Sequence, residues 1–433
     1  MSDAELERIA GTVPGPESRR YEALLKAFES RNVTAFFDDF PVFWDSAAGA
    51  TVTDVDGNRY LDFTAAFGVA NAGHANRHVA AAIAAQAGRL MHGMGDVHPS
   101  AVRARLLERL AALLPGVAWK AFLATTGSEA VEAALKTAML ATGRSRFAAY
   151  GGAYHGLSLG TLPLCGIEAF RRPFAGALGP EAVPLRYPDA SSGMSAEDAI
   201  AETRAALRGT RDLAAVIIEP IQGRGGAVVP PDGYLRALRA LCDEIGAVMI
   251  ADEIFTGFGR TGTWFAVQRD AVVPDILCVG KAMGSGFPIS AAIAREAIMD
   301  AWPASHGEAL HTSTYLGNPM GCAAALATIE EIERLDLVAR AAAFEPFVRN
   351  RLDKLRSRRI VRSVRGRGLL WAIEFSDAAI AESVVRRALR RGLILLQCGT
   401  RGDAISISPP LVISQEQLSR GFDLLEAAAA AVE

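Results

Sequence analysis

Lysine is scarce in this chain: five stand among 40 arginines in 433 residues. Any chemistry that needs a neutral amine must therefore use Lys26, Lys120, Lys136, Lys281 or Lys354. Cysteine is scarce as well. Cys165, Cys242, Cys278, Cys322 and Cys398 are odd in number, lie far apart and form no CxxC pair. That pattern excludes a disulfide scaffold and a zinc cluster, and it reads as reduced thiols in a cytoplasmic protein with no metal site. No apolar run of about 18 residues occurs, so no membrane span is expected. The net charge is only -3, which gives none of the basic field that a nucleic-acid partner requires. The start, MSDAELERIAG, is polar and acidic and does not read as a signal peptide. Asn32-Val33-Thr34 fits a glycosylation sequon, but the expected compartment argues against its use.

What is abundant is apolar sequence, at half of the residues, enough for a large core and two or three domains. Residues 1 to about 50 read as an amphipathic helix and an irregular arm containing Pro and Phe. Thr51 to Phe63 alternates around Asp56-Gly57, a β-hairpin pattern. Continuous apolar runs follow at 121–125, 146–150, 214–219, 247–252, 275–280 and 290–295. Runs such as AVMIAD do not alternate, so both faces should be buried in a mainly parallel sheet under helices. Glu219, Asp252 and Lys281 recur at spacings of about 30 residues, the length of a βαβ unit. From about residue 325 shorter α+β units take over. The expected organisation is α/β. Residues 1–65 form an arm and hairpin, 66–325 a large domain, and 326–433 a smaller α+β domain that the arm completes.

Ligands of open α/β sheets bind beyond the carboxyl ends of the strands, so the polar residues there carry most weight. Thr126-Gly127-Ser128-Glu129 opens a helical pattern and is either a capping box or an anion cradle. Gly151 to Gly156, with Tyr154 and His155, is a glycine-rich loop that could face a flat heteroaromatic ring. Glu219 and Asp252 end apolar runs, where a carboxylate either caps the next turn or holds a ring nitrogen protonated. Gly257 to Gly262 matches GxGxxG, yet it is separated from the strand and leads into a poor helix start, so a dinucleotide site is not expected. No GxxxxGK[ST] motif exists. Lys281 follows DILCVG directly. An ammonium there is costly to desolvate, so a lowered pKa and Schiff-base chemistry compete with a lysine that simply reaches solvent.

Taken in order, DVDGNRYLDF, TTGSEAVEAALK, YHG, EPIQG, ADEIFTGFGRTG, GKAMGSGFP, HTSTYLGNP and CGTRGD with SPPLVI resemble the class III aminotransferases of fold type I. The resemblance implies a seven-stranded-type sheet and pyridoxal 5′-phosphate as cofactor. The implied activity moves an amino group from an amine or ω-amino acid to a 2-oxo acid, by a ping-pong aldimine mechanism. Racemases, epimerases and 1,2-aminomutases of the same family use the same lysine, and a non-catalytic binding protein is the remote alternative. Lys281 would hold the cofactor and shuttle a proton, and Asp252 would pair with the ring nitrogen. Gly127 and Ser128 would bind the phosphate, Tyr154 would stack on the ring beside His155, and Glu219 and Phe255 would border it. Thr314 would reach the cofactor of a second copy, making a homodimer. Phe67, Gln222, Arg224 and Arg401 would face the substrate. Three positions depart from the family pattern. Phe255 stands where relatives usually carry Val or Gln, Arg224 where they carry an acid, and Ser406 where many carry an arginine that grips a substrate carboxylate.

Overall fold

The computed structural model describes residues 6–36, 40–179 and 181–432. Residues 1–5 of the polar start and 37–39 of the arm lie outside them. The arm's helix spans Pro16–Phe28, with Pro16 pre-set for the first turn and Glu17 near the positive end of the helix dipole. Three antiparallel strands follow: β1 (Trp44–Ala48), β2 (Thr51–Asp54) and β3 (Arg59–Asp62). The β2–β3 pair is the expected hairpin. β1 was not expected, because its exposed residues carry no apolar alternation.

The central sheet has seven strands: β4 (Trp119–Ala124), β5 (Arg146–Tyr150), β6 (Val183–Leu185), β7 (Leu213–Ile218), β8 (Val248–Asp252), β9 (Ile276–Val279) and β10 (Ser290–Arg295). Their order is β4-β10-β9-β8-β7-β5-β6. β10 is antiparallel to both neighbours, and every other pairing is parallel. β4 therefore runs in the same direction as β9, and six carboxyl ends share one edge. Every residue of β7, β8 and β9 is buried, which is why their sequences are unbroken apolar runs rather than alternating ones. The six apolar runs correspond to β4, β5, β7, β8, β9 and β10. Only β6 escaped, a three-residue edge strand with Pro184 at its centre.

The helix Gly127–Thr142 returns from β4 across the sheet. Thr126 and Glu129 form its capping box, and Gly143 at φ 68 ends it. The last third of the chain adds β11 (Val361–Arg367), β12 (Leu370–Phe375), β13 (Leu393–Ile394), β14 (Leu396–Cys398) and β15 (Ala404–Ile407). Four of them form an antiparallel sheet in the order β11-β12-β15-β14. β13 instead joins β3 in parallel, so the two ends of the chain share one sheet. The helix Pro319–Arg334 runs across position 325.

Candidate active site

β7, β8 and β9 are adjacent and parallel, with Ile218 opposite Ala251 and Asp252 opposite Cys278. This register gathers Glu219, Asp252 and Lys281 at one sheet edge, where ligands of such folds bind. A cavity of about 670 Å³ opens there. Phe67, Gly127, Ser128, Tyr154, His155, Glu219, Arg224, Asp252, Phe255, Lys281 and Ser406 all line it. Its size suits one organic ligand. A cavity of about 860 Å³ beneath Trp302 and Phe122 contains none of the strand-end acids.

Asp252 is fixed from two sides. One carboxylate oxygen accepts the Ile254 amide at 3.1 Å, and the other meets Nδ1 of buried His155 at 2.7 Å. Burial works to lower the His155 pKa, but the hydrogen bond to Asp252 and its charge prevail and raise it. Nε2 of His155 is buried and has no hydrogen-bond partner among the described residues. Glu219 accepts the amides of Tyr154 at 2.8 Å and Gly223 at 2.9 Å, tying the Tyr154 loop to the Gly223 turn. Burial raises the pKa of Glu219, and Asp252 adds to that. Burial lowers the pKa of Lys281, against the opposing pull of Asp252 and Glu219. Its backbone lies at φ 43, in the left-handed region. The sequence allowed a snorkelling lysine or one with a depressed pKa; here the side chain is half-buried and lines the cavity.

The helix start and the Tyr154 loop meet through an absent side chain. A Cβ on Gly156 would collide with Oγ of Ser128, and Gly156 itself lies at φ 110. The capping box satisfies the Glu129 amide, while Gly127 and Ser128 at the positive helix end face the cavity. The cap and cradle readings are thus compatible. Elsewhere in the lining, Phe67 belongs to a run with Ala65 and Ala66 in which all three are left-handed, at φ 46, 48 and 63 for residues 65, 66 and 67. Such residues cost about 1–3 kcal/mol each and persist where the surroundings over-determine them.

Other expected residues stand apart from the cavity. Gln222 is buried and bonds the Gly151 carbonyl at 2.8 Å, behind the lining. Arg401 is mostly exposed and paired with Asp403 at 2.6 Å. Thr314 is exposed on the 313–316 segment and does not line the cavity of its own chain. Sequence reasoning missed Ile254, Phe170, Phe287 and Leu396, which do line it. Ile254, an apolar residue directly after two acids at a strand end, was the one with a readable signal. Phe170 reaches Tyr154 edge-on, with ring centroids 5.8 Å apart, and nothing in its local sequence announces that contact.

A family model described as aminotransferase class-III matches residues 34–429. The chain is 39% identical to a putrescine aminotransferase of Pectobacterium atrosepticum, over 90% of this chain and 82% of that protein. It is 36% identical to a 4-aminobutyrate aminotransferase of Mycobacterium leprae, over 98% of each. Among solved structures, an (S)-enantioselective omega-transaminase from Thermomicrobium roseum superposes with a TM-score of 0.89, at 30% identity over 96% of this chain and 99% of the other. The chain belongs to the class III aminotransferases, whose cofactor is pyridoxal 5′-phosphate. The expected fold and the transferase reading are borne out.

Gly156→Ala should push Ser128 out of place and weaken cofactor binding by about tenfold or more, since overpacking typically costs about 1–3 kcal/mol. Fluorescence titration of cofactor into the purified variant checks this, with a circular dichroism spectrum to show that the fold is retained.

Proposed function

We propose that this aminotransferase takes amino groups from amines or ω-amino acids and passes them to 2-oxo acids, with Lys281 and Asp252 as its catalytic pair. The observation that carries the reading is an amine of lowered pKa lining the same cavity as a carboxylate fixed by His155. The residues present fit pyridoxal phosphate. Gly127 and Ser128 at the helix start suit its phosphate, Asp252 suits its ring nitrogen, and Tyr154 and Ile254 offer an aromatic and an aliphatic wall for its ring. When bound, this group supplies an aldehyde that captures amines and a ring that accepts the electron pair left by a departing proton. Lys281 is the residue to anchor the aldehyde. Once displaced, its neutral Nζ can take a proton from the substrate carbon and return it elsewhere, which a lowered pKa favours near neutrality. Asp252 would keep a proton on the ring nitrogen, and His155, bonded to it, would orient it. Tyr154, whose amide is held by Glu219, would keep water from the ring face.

Arg224 is our candidate for the oxo acid's carboxylate. It lines the cavity, and the one hydrogen bond its guanidinium makes among the described residues goes from Nη1 to the Gly399 carbonyl at 3.1 Å, leaving donors free. Ser406, also in the lining, has a buried Oγ without a hydrogen-bond partner among the described residues. Charge on that wall therefore comes from position 224 and not from 406.

We further read the working form as a homodimer, with Thr314 of each copy completing the other's phosphate site. In support, exposed Leu90, Met91, Met94, Val97, Leu310 and Tyr315 lie near Thr314 in sequence or packing. Asn318 bonds the Met91 carbonyl at 3.1 Å and His92 meets Tyr315 at 5.4 Å, so these segments adjoin. Residues 66–325 would form the cofactor domain, and 1–65 with 326–433 a second domain, which suits the β3–β13 pairing. A cytoplasmic location suits five buried thiols that form no disulfide.

Lys281→Ala should abolish turnover and leave no borohydride-reducible bond to the cofactor, while the fold persists. Mass spectrometry finding the cofactor on another lysine would reject the assignment. Arg224→Ala should lower kcat/KM with a 2-oxo acid by about 10- to 100-fold, the equivalent of losing a charged hydrogen bond. Stopped-flow measurement should find the half-reaction with a plain monoamine unaffected. Sedimentation should find a dimer in active enzyme, and a monomer with full turnover would remove the role given to Thr314.

A further inference from the structure

Phe255 occupies a seat made for a ring. A Cβ on Gly68 would come within 2.5 Å of its Cε2, and a Cβ on Gly223 within 2.5 Å of its Cδ1. Two glycines from distant parts of the chain thus grip the ring on either side. Gly223 is tied down through its amide to Glu219 at 2.9 Å. Gly68, at φ 75, ends the run of left-handed residues that begins at Ala65. The side chain also packs against an apolar cluster containing Ile221, Leu370 and Cys398. A ring so enclosed has little freedom to turn. Nζ of Lys281 lies 4.3 Å from its centroid, over the face.

We propose that the ring of Phe255 is a fixed cation-binding face for the ε-amino group of Lys281, holding the ammonium in place whenever the amine is not bonded to the cofactor. The face of a benzene ring carries negative charge and attracts an ammonium within about 6 Å, most strongly where water is excluded. Phe255 acts through Lys281 and is a positioning residue. Its role rests on the reading of Lys281 given above. It also gives a physical reason for an aromatic residue at 255, which an aliphatic or amide side chain would not supply.

The ring favours the charged amine, so it opposes the burial that lowers the Lys281 pKa. Asp252 and Glu219 act in the same sense as the ring. His155 is bonded to Asp252, and Arg224 lines the same cavity. Tyr154 and Cys398 line it too, and burial raises the pKa of both, so they stay uncharged. Residues 65–68, packed on the Lys281 turn, carry no charge, and the charged residues of Pro319–Arg334 lie in its last two turns.

The test titrates the amine itself. Full-length enzyme freed of cofactor is acetylated with a trace of isotopic acetic anhydride across a pH series, and the rate at Lys281 is read by mass spectrometry. Phe255→Leu should lower the midpoint by about 0.4 to 1.5 pH units, the worth of one cation–π contact. Phe255→Tyr, which keeps the ring face, should leave it near the wild-type value. A pentafluorinated phenylalanine at 255 keeps the shape but reverses the charge of the face, so it should act like leucine even if leucine disturbs the seat. An unchanged midpoint with the fluorinated ring, or an equal fall with tyrosine, overturns the proposal. Labelling reads Lys281 whatever its catalytic role, so these results are distinct from a Lys281→Ala enzyme that still bonds the cofactor.

Discussion

A carboxylate at the end of an apolar strand loses most of its water, and the penalty is several kcal/mol unless neighbours replace those contacts. The sheet places two such groups side by side, Glu219 after β7 and Asp252 at the end of β8, and adds the amine of Lys281 after β9. Each acid is answered differently. Glu219 takes two backbone amides, and Asp252 takes an amide and an imidazole. The side-chain amine of Lys281 makes no hydrogen bond among the described residues and feels the two acids only through their fields. That asymmetry separates the groups chemically. The acids are held in place by hydrogen bonds, and the amine is not.

The same bonds organise the walls. By accepting the Tyr154 and Gly223 amides, Glu219 connects the loop that carries one aromatic wall to the turn beneath another, Phe255. Removing side chains matters as much as adding them. Gly156 makes room for the Ser128 hydroxyl, Gly127 for Ile254, and Gly68 with Gly223 for the Phe255 ring. In a close-packed interior each of these is a steric requirement. The left-handed residues 65–67 show that backbone strain is tolerated to bring this wall in.

The cavity's charge pattern follows from the chain's own departures. Its cations are Lys281 and Arg224, its acids are Glu219 and Asp252, and much of the remainder is aromatic or aliphatic. Arg224 is pinned to the third sheet, since its carbonyl accepts the Gly399 amide at 2.9 Å and its guanidinium donates back to Gly399. Tilting the last third of the chain relative to the central sheet would move this guanidinium, so the geometry of this part of the cavity depends on how the sheets pack.

The sequence by itself determined the buried strands and the chemistry at their ends. Two-sided burial requires unbroken apolar runs, and an acid or an amine ending such a run is conspicuous because desolvation makes it costly. Asp252, Lys281, Glu219 and the capping box at Thr126 were legible for that reason. β1 and β6 were not, because an exposed strand and a three-residue edge strand with a proline carry no burial pattern. Only the tertiary structure decided that β13 would leave its neighbours for β3, that Gln222 and Arg401 would stand outside the cavity lining, and that Phe170, Phe287 and Leu396 would enter it. It also decided that Phe255 would sit between Gly68 and Gly223 under the Lys281 amine. These are contacts between segments far apart in the chain, fixed by steric fit, and local periodicity carries no record of which distant surfaces will meet.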